Sequence, residues 1–231
     1  MTTLLVSTAE LLGDEVDVGG ADYQHLFRAR RLRVGEELRV SDGKGRARAA
    51  RVDAVERRSA RLVLEGEMEA SDPALELVVC SALPRSERAR WLVEKCGELG
   101  VTTLLFYASS RAPRTMGAAS RARLARVAAA ALAQSDGSRL TEVRGVVDWN
   151  ELVGECRAGR ALVLEPGERG KDLAEIPREG RLHVVVGPEG GLTPEELDEL
   201  IDAGAFPWRL GPRRLRIETA AIAAASRLLA H

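Results

Sequence analysis

The chain has 231 residues, of which 45% are hydrophobic and 30% charged, and its formal net charge is −1. That length allows one large or two small domains with a real core, and the composition is that of a globular rather than a disordered or fibrous protein. No apolar run reaches bilayer-spanning length, and residues 1–7 lack the basic start and long apolar stretch of a secretory signal, so a cytoplasmic protein is expected.

Residues 1 to about 70 read as β-rich. Glu37-Leu38-Arg39-Val40 alternates, Ser41-Asp42-Gly43-Lys44-Gly45 supplies turn chemistry, and Ala47–Val55 and Ala60–Leu64 resume strand-like runs. Short strands separated by glycine turns predict a small barrel. Ser71-Asp72-Pro73 then punctuates the chain and marks the expected domain boundary, giving domains at 1–72 and 73–231.

Beyond Ala74, strands and helices alternate. Leu75–Ala82 is an apolar strand, and Ser86–Leu99 a helix with Leu92, Val93, Cys96 and Leu99 at helical spacing, stopped by Gly100. Val101–Tyr107 is the next strand. Ser120–Gln134 is a helix built on Leu124, Val127, Ala128, Ala131 and Leu132, with Arg121, Arg123 and Arg126 on its other face. Ala161–Leu164 and Leu182–Val186 are further strands. Thr193-Pro194-Glu195-Glu196 starts a helix, with Thr193 as cap, Pro194 at the first helical position and Glu196 closing a capping box. Leu197, Leu200 and Ile201 give that helix its buried face, and Gly204 ends it. A short strand is expected at Trp208–Leu210, and a last helix from about Glu218 to Leu229. This alternation implies an α/β domain with a parallel sheet covered by helices.

Cys80, Cys96 and Cys156 are odd in number and scattered, so neither a disulfide framework nor a zinc site is predicted, and Cys96 is expected as a buried, inert thiol. His25, His183 and His231 form no metal-ligand spacing, and no metal is expected. Charge is distributed unevenly: Tyr23–Arg61 holds twelve basic and five acidic residues. A basic N-terminal portion on a near-neutral chain fits RNA contact; a solvated arginine-rich surface fits it equally.

Two segments carry chemistry. Gly187-Pro188-Glu189-Gly190-Gly191 follows an apolar strand and precedes a capped helix, the place where open α/β sheets bind ligands. Glycines there let backbone approach a ligand, although a tight strand-to-helix turn explains them as well. The run is neither a dinucleotide fingerprint nor a Walker loop. Leu210-Gly211-Pro212-Arg213-Arg214-Leu215-Arg216-Ile217-Glu218-Thr219-Ala220 is a strand end, a Gly-Pro turn and a basic loop running into a helix. Its plain structural reading is a capped helix with solvated arginines.

Taken together, the two segments resemble the C-terminal signature of the 16S rRNA uracil-N3 methyltransferases of the knotted SPOUT superfamily, the enzymes acting on uracil 1498. Leu215-Arg216-Ile217-Glu218-Thr219-Ala220 matches that signature, with Arg214 where an aliphatic residue is usual. Upstream, Glu94–Val101, Ser109-Ser110-Arg111, Ala133-Gln134-Ser135, His25-Leu26-Phe27-Arg28 and Val34-Gly35-Glu36 resemble other family segments, so the likeness covers nearly the whole chain. Departures are Arg85 in place of Lys, Ala133 in place of Glu, and Asp136-Gly137-Ser138 intervening before Arg139, without the proline expected after it. They fall on the expected RNA side rather than the cofactor side.

The resemblance implies a PUA-like RNA-binding barrel followed by a trefoil-knotted methyltransferase domain, a homodimer, and S-adenosylmethionine as cofactor. It implies a small-subunit rRNA substrate. It places the cofactor against Leu164, Glu165 and Pro166, against Gly187, Pro188, Glu189, Gly190 and Gly191, and against Leu210, Gly211, Leu215, Arg216, Thr219 and Ala220. Uracil N3 carries a proton and must lose it to act as a nucleophile. Arg216 is the expected partner of the uracil oxygens, with Glu189 or Glu218 orienting it or accepting the proton. Arg28, Arg30, Arg31 and Arg33, with Arg111, Arg121, Arg123 and Arg126, are the expected phosphate contacts. Two other readings fit the same residues: a SPOUT methyltransferase with another RNA target, and a non-catalytic RNA-binding or assembly factor.

Overall fold

The computed structural model describes residues 2–69, 71–172 and 179–229; His231, singled out above, lies outside them. Two compact units form, one of Met1–Asp72 with Leu132–Leu140, the other of Pro73–Ala131 with Thr141–His231. No described helix is long and apolar enough to cross a membrane.

The first unit runs β1 (Thr3–Leu5), α1 (Thr8–Leu11), β2 (Glu15–Val18) and α2 (Gly20–Tyr23), which continues into a π-helical turn (Gln24–Ala29). Then come β3 (Glu37–Ser41), β4 (Ala47–Val55) and β5 (Ala60–Met68). Strand order is β1-β3-β4-β5-β2, with only β1–β3 parallel. The ladder is open between its edge strands β1 and β2. Alternation puts Leu38, Val40, Val52 and Leu62 on the inner face, against Tyr23, Leu26 and Phe27 from the helical segment. The hairpin expected at Ser41–Gly45 forms as read: Gly43 and Gly45 adopt φ of 69° and 101°, a region open to glycine. The helices were not expected. Ser7 and Glu10 nevertheless make a full capping box at α1, a signal the β-rich reading passed over.

Leu132–Leu140 joins this unit through backbone. Gly45 N donates to Ser138 O at 3.0 Å and Leu140 N to Gly43 O at 2.8 Å. Asp72 Oδ1 accepts from both Ser138 N and Arg139 N at 3.0 Å. The buried Arg39 guanidinium reaches Ser138 Oγ and the Glu69 carbonyl.

The second unit runs β6 (Leu75–Ala82), α3 (Ser86–Glu98), β7 (Thr103–Tyr107), α4 (Ala118–Ser135, whose last residues belong to the first unit), β8 (Glu142–Val147) and α5 (Trp149–Arg157). It continues through β9 (Arg160–Leu164), β10 (Gly180–Val186), α6 (Pro194–Asp202), β11 (Phe206–Trp208) and α7 (Ile217–Leu229). The sheet order is β11-β9-β10-β6-β7-β8 and every pairing is parallel. β6 and β10 are central and read as near-continuous apolar runs because both faces are covered. α3 and α7 pack on one another, and α7 lies on β6 and β10.

Two differences from the expected elements have physical causes. The strand expected at Trp208–Leu210 lies two residues earlier, at Phe206–Trp208. Pro207 argues against a strand in sequence, but β11 is an edge strand and tolerates a missing N–H. β8 and α5 were not expected. β8 is an edge strand carrying Glu142, Arg144 and Gly145, so it lacks the apolar run that marked the others.

Candidate functional site

The carboxyl ends of three adjacent strands, β11, β9 and β10, release three loops that wall a cleft of about 280 Å³. Leu164, Glu165 and Pro166 form one wall. Gly187 through Leu192 form the second, and Leu210, Gly211, Arg213, Arg214, Leu215, Ile217 and Ala220 the third. Val186 and Trp208, both buried, close the base.

The glycine wall needs its glycines unequally. A Cβ on Gly187 would meet Leu192 Cγ at 3.2 Å, tighter than ordinary contact. Gly191 sits at φ 73°, where an L side chain is strained. Gly190 has only Arg111 Cδ near, at 3.4 Å. Gly191 N donates to Pro188 O at 2.8 Å, closing a turn that presents the remaining backbone to the cleft.

A buried carboxylate holds this wall. Glu196 Oε2 accepts from Thr193 N as half of the capping box of α6. Its Oε1 accepts from Ser110 N and Ser110 Oγ, both at 2.9 Å. Arg111, the next residue, donates to Gly190 O at 2.6 Å. Beneath, the Tyr107 phenol donates to Val186 O at 2.9 Å; burial raises the phenol pKa well above its ordinary value. The first wall is laced to β11: Glu165 N donates to Trp208 O, Lys171 N to Pro207 O, and Arg209 N to Lys171 O, all within 3.0 Å. A Cβ on Gly170 would fall 2.0 Å from the Glu165 carbonyl, so only glycine fits this crossing.

The carboxylates expected to serve Arg216 are paired elsewhere. Arg88, from the first turn of α3, lies 3.9 Å from Glu189 Oε1 and 3.6 Å from Glu218 Oε1. Glu218 is 8% exposed and its second oxygen has no hydrogen-bond donor. Arg216 and Thr219 do not line the cleft. Leu215, Ile217 and Ala220 face the cleft, whereas Arg216, in the loop before α7, and Glu218 and Thr219, in its first turn, face a shallow neighbouring hollow with Glu87, Arg88 and the exposed Trp91.

Of the remaining expected cofactor contacts, Leu164, Glu165, Pro166, Gly187, Pro188, Glu189, Gly190, Gly191, Leu210, Gly211, Leu215 and Ala220 meet in the one cleft. The expected RNA arginines divide. Arg111 lines the cleft and is spent on backbone carbonyls. Arg28 lies over the Tyr23 ring and donates to Arg57 O, and Arg30 donates to Thr2 Oγ1. Arg31 adopts φ 61°. Arg33 and, on α4, Arg121, Arg123 and Arg126 are exposed. Sequence reasoning missed Arg88, Glu196, Arg213 and Arg214 as site residues. Arg88 gave no signal, since its two partners lie about a hundred residues or more away; Arg213 and Arg214 were visible inside a quoted motif.

Among the described residues no group of His, Cys, Asp and Glu is placed to hold a metal. All three thiols are buried and free. Burial pushes the thiols of Cys96 and Cys156 up to about 12 and raises that of Cys80 as well.

Comparison with known proteins gives the geometry a context. The family described as "RNA methyltransferase domain" matches residues 71–229, and that described as "RNA methyltransferase PUA domain" matches residues 18–65. The ribosomal RNA small subunit methyltransferase E of Mycobacterium bovis is 34% identical over 230 residues, covering 95% of this chain and 87% of that protein. The protein of the same name from Bacillus subtilis is 24% identical over 223 residues, covering 90% and 87%. The crystal structure of a ribosomal RNA small subunit methyltransferase E from Neisseria gonorrhoeae bound to S-adenosyl methionine superposes with a TM-score of 0.89 at 26% identity, covering 98% of this chain and 96% of that one.

Proposed function

We propose, from the premise that this chain belongs to the ribosomal RNA small subunit methyltransferase E family, that it uses S-adenosylmethionine to methylate N3 of a uridine in 16S rRNA, uridine 1498. The observation that carries the reading is the cleft itself, three backbone loops gathered at the carboxyl ends of β9, β10 and β11. Its residues suit that cofactor. Leu164, Leu210, Leu215 and Ile217 offer apolar cover for an adenine ring, and the glycine wall offers backbone N–H and C=O groups to read its edge.

When bound, the cofactor supplies an electrophilic methyl group on a sulfonium. The chain's own residues must expose N3 as a nucleophile and hold it in line. Glu189 borders the cleft and is about half exposed, which suits it to take the N3 proton. Glu218 is buried and faces the hollow, which suits it to hold Arg88. Arg216 is unpaired among the described residues and is assigned to the uracil oxygens, where negative charge grows as the proton leaves. The base leaves its stack to reach such a site.

The wider arrangement belongs to the same reading: a PUA-like unit at 1–72 and a methyltransferase unit at 73–231, a homodimer, a cytoplasmic location, and a knotted chain path. The lacing of residues 165–171 onto 207–209 supports the last. The test is a methylation assay on small ribosomal subunits, with the modified nucleotide mapped by nuclease digestion and mass spectrometry. Labelled methyl at N3 of uridine 1498 is expected; methyl at another nucleotide, or cofactor binding without transfer, overturns the assignment. In Arg216→Ala, cofactor affinity measured by calorimetry should hold while turnover falls at least a hundredfold; wild-type turnover would remove Arg216 from the mechanism.

A further inference from the structure

The loop between β11 and α7 carries more positive charge than a cofactor cleft needs. Residues 212–216 are all exposed and include Arg213, Arg214 and Arg216. Arg213 and Arg214 line the cleft. Three neighbouring arginines are already engaged, Arg111 with Gly190 O, Arg209 with Gly170 O and Arg88 with Glu189 and Glu218, and Arg216 faces the adjoining hollow. Among the described residues Arg213 and Arg214 have no carboxylate within 4.0 Å and no side-chain hydrogen bond.

An arginine keeps its positive charge at any physiological pH. Two such cations at the rim of an open cleft raise the local positive potential and favour an anionic ligand there. S-adenosylmethionine supplies little: it carries a sulfonium and an ammonium against one carboxylate, and is net cationic. RNA supplies a phosphate at every nucleotide, and guanidinium matches phosphate geometry with two parallel hydrogen bonds.

We propose that Arg213 and Arg214 are a phosphate clamp for RNA on the rim of the cleft, gripping the backbone beside the nucleotide whose base enters. The proposal rests on the reading of the chain as an RNA methyltransferase. It moves part of the RNA contact from the basic barrel to the loop that also walls the cofactor.

The clamp is tested with Arg213→Ala, Arg214→Ala, the double variant and Arg214→Lys, each full length. Binding to a 16S rRNA fragment containing the target is followed by fluorescence anisotropy across a salt series, without cofactor. Each alanine should flatten the slope of log K against log salt by about one, the double variant by about two, and Arg214→Lys should keep the wild-type slope. S-adenosylmethionine affinity by calorimetry should fall by less than RNA affinity does, and in turnover assays KM for RNA should rise more than KM for S-adenosylmethionine. An unchanged slope overturns the clamp, as does a tenfold loss of cofactor affinity with RNA binding intact, which would assign the pair to the cofactor carboxylate. Because the salt series needs no methyl transfer, a wild-type protein that binds RNA through these arginines but fails to methylate it would sink the parent reading and leave the clamp standing.

Discussion

Arg88 pairs with two carboxylates, Glu189 on the glycine wall and the buried Glu218 in the first turn of α7. Arg88→Ala leaves Glu218 without its only cation among the described residues. A stability loss of roughly 1–3 kcal/mol follows from an unsatisfied buried group, toward the lower end because Arg88 is itself 39% exposed and water screens the pair. Urea denaturation should record this loss, and adding Glu218→Gln should restore part of it; an additive second loss would mean the two residues do not interact. Gly170 makes a different demand, since any Cβ collides with the Glu165 carbonyl. Gly170→Ala should cost about 1–3 kcal/mol and weaken S-adenosylmethionine binding, because the displaced backbone is a wall of the cleft. His183, buried on β10, lies 3.3 Å from Glu155 without completing a hydrogen bond. Burial lowers its pKa from the ordinary 6.5. The folded state therefore binds its proton more weakly than the unfolded chain does. Its contribution is complete above about pH 6.5 and is lost as pH falls toward the depressed folded pKa. Urea midpoints should fall across that acid window in the wild type and stay flatter in His183→Gln.

At the scale of elements, what sequence could reveal depended on how local the determining contact is. α6 was legible end to end because its cap, its proline and its stop at Gly204 lie within a dozen residues. β6, β7, β9 and β10 were legible from apolar runs, since central parallel strands are covered on both faces. β8 and β11 are edges and carried weaker patterns. In the site, both signature segments were legible, but not which way each side chain turns: Arg216, just before α7, and Thr219, in its first turn, face away from the cleft. Least legible was the tie between Leu132–Leu140 and β3–β4, which pairs Gly43 and Gly45 with residues some ninety-five positions away. Asp72 anchors two of that segment's backbone N–H groups. Asp72→Ala should cost roughly 1–3 kcal/mol by leaving those donors unpaired; a loss below 0.5 kcal/mol would show water replacing the carboxylate.

For the whole molecule, composition and βα alternation gave the class of each unit, and the glycine and arginine loops gave the location of the cleft. The contacts that set its shape came only with the fold. All three thiols lie inside packed structure, with pKa values pushed upward. A thiol reagent at neutral pH should label none of them in the native protein and all three once it is unfolded. Rapid labelling of one cysteine in the native state would reveal local opening of the element that carries it. The buried Glu196 has a consequence of another kind. One carboxylate caps α6 and also fixes Ser110, whose neighbour Arg111 grips the glycine wall. Two loops far apart in the chain thus share a single keystone, and their histories are bound together. In lineages descended from this sequence, a change at position 196 should arrive with a matching change at 110, or leave no surviving descendants.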